Sequence, residues 1–398
     1  MPSKSNQSTL IKRITYGAFL SFFLFGFADN LKGPTFPALL DELNFSYSVG
    51  GTMMLVAYLG FLVATLSTGP LSDMAGKRVV MFIACACLFV GMTGYSVFSA
   101  FWMLSGAMAI IGLGLGSLEV GGNLIIVDLH RRDKGRLLNL LAFFHSVGSM
   151  IAPLYAGRLL ELGVSWRRIY QSGVLIVVFL FIYFLLTKYP RTNISDDDKP
   201  AKKLGKSAFT GEMILFYVVI AVYVAAEIGI GSWLVEFLQK AKSQSVMTSS
   251  LFLSLFFGAI TAGRFIGSFL VERAGYLRSM LYAALASVVC AAIGIFAPAS
   301  LAFFLPLTGL FFSIIFPTAT AAVSDLHKEN LGTILGLLFT FAGLGGMLGP
   351  WTIGVFSDWV GIRIGFGMIL VFCVGMSVTF GLLASRRNRT TDSTDRTD

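Results

Sequence analysis

The sequence predicts an all-α integral membrane protein in which twelve transmembrane helices form two six-helix bundles. Composition is the first observation: mean hydropathy is +0.79, with 56% hydrophobic and 13% charged residues, whereas soluble domains carry about 25% charged residues. The second is that apolar stretches of about 20 residues or more, the length a hydrocarbon core requires, recur throughout the chain. The third is an internal repeat at an offset of about 197 residues. Asp128-Leu129-His130 returns as Asp325-Leu326-His327, and Gly148, Pro153 and Gly157 return as Gly345, Pro350 and Gly354. A chance tripeptide would not hold register over that distance. Two related bundles suit secondary transport, because rocking one against the other opens a central site to alternate sides.

The apolar stretches fall at 14–38, 47–72, 79–97, 101–128, 137–160 and 169–187, then at 211–238, 249–272, 278–296, 301–325, 332–356 and 363–385. The first is far longer than the apolar region of a signal peptide and lacks a small-residue cleavage site behind it, so it is expected to stay in the mature protein. The expected organisation is a cytoplasmic N-terminus at 1–13, a first bundle at 14–190, a linker at 191–210, a second bundle at 211–385 and a tail at 386–398. The linker is rich in Asp, Lys, Ser and Pro, and such composition cannot bury an apolar face.

Orientation follows the excess of Lys and Arg in cytoplasmic loops. Lys12, Arg13, Lys77, Arg78, Arg131, Arg132, Lys134, Arg136, Lys202, Lys203, Lys206, Arg273, Arg278, Lys328, Arg386, Arg387 and Arg389 all fall at the ends or in the even-numbered loops. Both termini are therefore expected in the cytoplasm, with the short loops pointing to a prokaryotic cytoplasmic membrane. Lys32, Arg158, Arg167, Arg168, Lys240 and Lys242 lie on the opposite side. The net charge of +9 reflects this topology, because the cations are scattered instead of gathered on one face as a nucleic-acid partner would need. The four cysteines lie within apolar stretches without Cys-x-x-Cys or His spacing, so no metal site is expected.

After the second stretch the chain runs from Gly69 through Asp73 and Gly76 to Lys77 and Arg78; after the eighth it runs from Gly267 through Glu272, Arg273 and Gly275 to Arg278. This pattern resembles the loop signature of the major facilitator superfamily, present in both halves. A carboxylate at a helix end can pair with an Arg or a helix N-terminus of its neighbour. Asp73, Arg78, Glu272 and Arg273 are accordingly candidate gating residues, the alternative being helix ends in a wet loop. The glycines are expected to let helices approach closely.

Ionisable groups inside a membrane are expensive and functional by default. Glu119 sits two-thirds of the way along the fourth stretch, Asp29 in the first, Glu227 in the middle of the seventh and His145 in the fifth. Carboxylates in a low-dielectric cavity can load and unload a proton as the cavity changes sides, which makes Glu119, Asp29 and Glu227 proton-coupling candidates. Asp29 has an alternative role, because Lys32 lies one turn on and can neutralise it. Ionised carboxylates also accept hydroxyl hydrogen bonds. Glu119, Glu227, Asn30, Asn123, Asn139 and His145 are candidate ligands for a hydroxylated solute, with Trp233 offering a ring face.

The segment from Gly114 to Glu119, Leu138 to Leu140 with Ser146 to Gly148, Gly263-Arg264-Phe265, Ser313 to Thr318 and Gly354 to Asp358 resemble, in order, the fucose permease group of that superfamily. The resemblance covers nearly the whole transmembrane region. It implies that Glu119 takes part in proton coupling and sugar contact, and that His145 stands where fucose permease has a substrate-contacting asparagine. The acid that fucose permease carries in its first helix falls at Gly33, with Asp29 one turn earlier. Glu227 resembles the helix 7 glutamate of the glucose-type members. Together these imply a cation-coupled symporter, proton-driven with sodium as the other candidate ion, that imports a glucose- or mannose-type hexose or a related polyol; a monomer is the expected working unit. The alternative is a proton-coupled antiporter exporting drugs or metabolites. Tails too short for an output domain argue against a sensor. The sequence shows no Ser/His/Asp grouping, metal-ligand cluster or Walker-type loop, so neither an enzyme nor a cofactor is expected.

Overall fold

The computed structural model describes residues 4–130, 133–187, 209–326 and 331–394, excluding the side chains of 4–8, 268, 270, 331–333 and 387–394. Outside the described residues lie the linker except for residues 209 and 210, as well as Arg131, Arg132, His327 and Lys328; the side chains of Arg387 and Arg389 are likewise not described.

Twelve helices among the described residues are long and apolar enough to cross a membrane. The first half contributes Thr9–Leu43, Tyr47–Ala75, Lys77–Val97, Phe101–Leu129, Lys134–Glu161 and Trp166–Leu186; the second contributes Gly211–Lys242, Val246–Gly267, Tyr276–Phe296, Ala299–Leu326, Ile334–Val360 and Ile362–Arg386. They are numbered here as spans 1 to 12. The chain divides into two compact units, one of residues 1–198 with 245–254 and one of 199–244 with 255–398. The first turns of span 8 belong to the first unit. There Ser254 Oγ donates to the Met150 carbonyl at 2.7 Å, and Ser250 packs against Gly157 of span 5.

Three spans are interrupted among the described residues: span 12 at 366–367, between helices Ile362–Gly365 and Met368–Thr394, and two others where proline removes a donor. Span 1 consists of helices Lys4–Asn30 and Lys32–Leu43, joined at Leu31; Pro34 has no N–H to give the Asn30 carbonyl. Span 10 includes helices Phe304–Phe312 and Ile315–Leu326, and Pro317 likewise leaves the Ser313 carbonyl without its helical donor.

Within each unit, glycine sets how closely spans approach. A Cβ on Gly148 would run into the Phe23 carbonyl, and one on Gly345 would run into the Ala221 carbonyl. Spans 1 and 5 thus repeat as spans 7 and 11, with their backbones nearly touching at equivalent places. Of the glycines in the repeated loop motif, Gly267 shows the expected close approach, since a Cβ there would run into Ile314 of span 10; the others do not. Gly69, Gly76 and Gly275 have no atom within 4 Å of where a Cβ would stand. Instead Gly76, Gly275 and Gly361 hold φ, ψ of 88°, 152°; 80°, 157°; and 81°, 157°, a region essentially restricted to glycine. Each turns the chain from one span directly into the next.

Candidate functional site

In the first unit spans 1 and 5 come into near-contact at Gly26 and His145, with Asn30 one turn further along span 1 against Ser149. A Cβ on Gly26 would meet the His145 carbonyl, so the two helices lie backbone to backbone one turn before Asp29. The Asn30 amide donates to the Gly26 carbonyl at 2.9 Å and to Ser149 Oγ at 3.0 Å, and Ser149 Oγ donates to the His145 carbonyl at 3.0 Å. Buried Asn30 is therefore a strut between spans. The His145 ring rests on Phe25, with centroids 4.5 Å apart.

Asp29 forms an ion pair with Lys32 across the break at Leu31, and the two side chains are 22% and 11% exposed. The Lys32 ammonium also lies 5.4 Å from the centre of the Tyr58 ring, a cation–π arrangement. Lys32 thus touches both the Asp29 carboxylate and the Tyr58 ring. Glu119, partly buried on span 4, stands within electrostatic reach of Asp29. No cation lies within ion-pair distance of Glu119 among the described residues. Asn123 is one turn further along the same face of span 4 and is also partly buried. Asn139 is not brought to this cluster: it is exposed and about 9 Å along span 5 from His145 at helical rise.

In the second unit the Tyr223 hydroxyl donates to the Glu227 carboxylate, and Arg264 of span 8 acts on both electrostatically. Tyr223 is fixed by edge-on contact with Phe312, at a centroid distance of 5.6 Å. Asp29 and Glu227 are 198 residues apart, and each follows by six residues the carbonyl met by a glycine of the partner span. They are repeat equivalents, a relation that the offset contained but motif reading did not extract. Trp233 is placed differently from its expected role. It is 0% exposed and its indole N–H donates to the Pro350 carbonyl at 2.9 Å, so in this structure it packs and ties instead of offering an open face. Glu236, 2% exposed on the same span, is a buried acid that the search for acids in apolar stretches passed over.

At the ends of the spans, the expected pairing is redistributed. Asp73 is exposed and interacts electrostatically with Lys77, but the ion pair of Lys77 is with Asp128. Arg78 donates to the Leu185 carbonyl at 3.0 Å, satisfying an orphan acceptor at a helix C-terminus. In the second unit the Tyr276 hydroxyl bonds to Asp325, while Glu272 and Arg273 are exposed. The repeated Asp-Leu-His tripeptide therefore carried chemistry as well as register: its aspartate meets the first residue of span 3 in one half and of span 9 in the other.

Twelve spans in two internally related units, with ionisable groups held between spans at membrane depth, define the class as a multi-pass membrane transporter fold. The model of the Major Facilitator Superfamily matches residues 18–305 and 217–397, and the chain belongs to that family. Among curated relatives, it is 26% identical to the glucose/galactose transporter of Brucella abortus (strain 9-941) over 392 residues, covering 92% of this chain and 93% of that one. Among solved structures, a point mutant of the nucleoside transporter NupG superposes with a TM-score of 0.80 at 14% identity, over 94% of this chain and 99% of that one. A point mutant of the E. coli fucose:proton symporter FucP superposes with a TM-score of 0.60 at 18% identity, over 93% and 98%. At these identities the solved structures establish the fold. The chain is an integral multi-pass membrane protein whose relatives are transporters.

Proposed function

We propose that this protein is a proton-coupled symporter that imports a neutral hexose of the glucose or mannose type, or a related polyol, with both termini in the cytoplasm. The observation that carries this reading is the cluster of Asp29, Lys32 and Glu119. Two of its three charges are spent on each other, and the third is a carboxylate with no cation in contact among the described residues. A carboxylate in such surroundings needs a proton or a ligand's hydroxyl groups to compensate it. The name of the Brucella relative supports a hexose. The distribution of Lys and Arg supports the orientation.

In the proposed cycle Glu119 takes a proton from outside, and the solute's hydroxyls engage polar groups of the transmembrane spans. Alternating access then exposes both to the cytoplasm. Asp29 serves as the counter-ion of Lys32, and the coupling proton resides on Glu119. Asp73, Lys77, Asp128 and Arg78 form the cytoplasmic ties whose rearrangement accompanies the transition.

The test is uptake of labelled glucose, mannose, galactose and fucose into liposomes under an inward proton gradient, for wild type and Glu119→Gln. One sugar should accumulate in wild-type vesicles; the variant should lose accumulation but retain counterflow exchange. Absence of sugar movement in either protein would overturn the reading in favour of proton-coupled export of drugs or metabolites. Accumulation driven by sodium alone would refute the proton assignment.

A further inference from the structure

Arg264 has no part in the cycle described above, and its placement calls for one. It lies inside span 8, yet its side chain is exposed. Arginine at such depth reaches either for the membrane interface or for a polar partner and a wet cavity. The neighbouring residues decide between these. Phe265, Ile266 and Phe269 are all exposed apolar residues, so the lipid-facing side of the helix is accounted for without Arg264.

The opposite seam faces span 7. A Cβ on Gly231 would stand 3.5 Å from the Phe257 ring, which fixes Phe257 against that helix. Residue 264 follows by seven, two turns along the same face. Spans 7 and 8 are consecutive and antiparallel, so the same seam brings Arg264 opposite Tyr223 and Glu227. Its electrostatic action on both residues agrees with this register.

The guanidinium does not close on the carboxylate. Ion pairs within 4.0 Å do occur among the described residues, but none joins Arg264 to Glu227. Glu227 receives one hydroxyl donor from Tyr223, which leaves acceptor sites on a group that can take about four hydrogen bonds. Arg264, exposed on span 8, acts on it electrostatically and carries five N–H donors in a planar fork. A cation retained only to balance Glu227 would be expected in contact with it.

We propose that Arg264 is a specificity-determining residue, forming with Glu227 a donor–acceptor clamp for two adjacent hydroxyls of a neutral sugar. One hydroxyl donates to the Glu227 carboxylate; the oxygen of its neighbour accepts from the Arg264 fork. The inference rests on the sugar-transport reading and adds to it the groups that tell one sugar from another. The planar fork matters, because a lysine keeps the charge but loses the two-point geometry.

The experiment is counterflow exchange in liposomes for wild type, Arg264→Lys, Arg264→Gln and the double variant Arg264→Gln/Glu227→Gln. The probes are glucose, mannose, galactose and the monodeoxy derivatives of whichever sugar wild type carries. Both single variants should raise the half-saturation concentration for the parent sugar at least tenfold. For one particular deoxy sugar, lacking the hydroxyl that Arg264 binds, they should change it less than threefold, so discrimination between the two sugars collapses. Equal losses for every probe would overturn the clamp, as would recovery of parent-sugar affinity in the double variant, which would mark Arg264 as a charge balancer. Thermal unfolding in detergent screens the variants for folding, and Arg264→Lys serves where Arg264→Gln fails. If wild type carries no sugar, the transport reading fails and the clamp falls with it. Wild-type exchange with unchanged discrimination in the variants would overturn the clamp alone.

Discussion

Replacing Lys32 with methionine separates a structural counter-ion from a coupling residue. Methionine keeps the length and helix propensity of lysine but leaves Asp29 without its ion-pair partner. Removing one member of a buried pair costs about 3–5 kcal/mol. The side chains here are 11% and 22% exposed, which places Lys32→Met near the lower end, about 3 kcal/mol, or about a hundredfold in the folded-to-unfolded ratio. Removing both charges leaves no orphan, and apolar or neutral replacements of whole buried pairs are often near neutral. Asp29→Asn/Lys32→Met is therefore expected within about 1 kcal/mol of wild type. Circular dichroism of unfolding in detergent measures the stabilities, and gradient-driven uptake is measured on the same preparations. The double variant should still accumulate solute, because Glu119 remains. The reasoning is refuted if Lys32→Met is as stable as wild type, or if the double variant is no more stable than Lys32→Met. A stable double variant that exchanges solute but no longer accumulates it would return Asp29 to the coupling step.

Three further outcomes follow from the backbone and the span ends. Gly76→Ala should destabilise by about 1–3 kcal/mol, although the site has room for a methyl group, because the cost lies in φ and ψ; thermal unfolding compared with Gly69→Ala, a helical position equally open, checks this. Gly148→Val drives a branched side chain into the Phe23 carbonyl, and since backbone atoms cannot swing aside the cost should exceed the roughly 1–3 kcal/mol of ordinary overpacking, read as loss of monodisperse protein in size-exclusion chromatography. Arg167 joins Glu42 at 3.0 Å, the Phe98 carbonyl at 2.6 Å and Ser99 at 3.0 Å, so Arg167→Ala should cost about 2 kcal/mol and leave transport by the remaining folded protein unchanged.

The spans were legible because their signal is local. An apolar run of sufficient length has no alternative use, and the structure places span ends within a few residues of those expected. The breaks at Leu31 and near Ser313 were legible in principle from Pro34 and Pro317, whose missing donors act on a carbonyl four residues away. Gly76 and Gly275 were assigned the wrong cause and Gly267 the right one, because a motif's spacing does not distinguish a residue needed for positive φ from one needed for close approach. Asp29, Glu119 and Glu227 were found by their cost in lipid and Glu236 was not, while the partners of all of them depend on which helices meet. Lys77 and Asp128 are separated by 51 residues, and Glu227 and Arg264 by 37. The exception is the Asp29–Lys32 pair, which lies within one turn and was visible as an alternative. Trp233 shows the converse error: an aromatic ring in a polar neighbourhood reads as a ligand platform until its N–H is seen bonded to Pro350.

The same short distance that made Asp29 and Lys32 visible also sets what each can do. Lys32 pairs with Asp29, while Glu119 stands within electrostatic reach of Asp29 and has no cation at ion-pair distance among the described residues. Lys32→Met would therefore do more than destabilise: it would leave two carboxylates without a contacting cation, and the transported proton would have two competing seats. Gradient-driven uptake in Lys32→Met/Glu119→Gln separates the two seats. Accumulation restored relative to Glu119→Gln alone is the expected outcome, because the freed Asp29 can then carry the proton. Accumulation still lost, with exchange intact, would mean that Glu119 is the one seat and that Asp29 serves as a counter-ion alone.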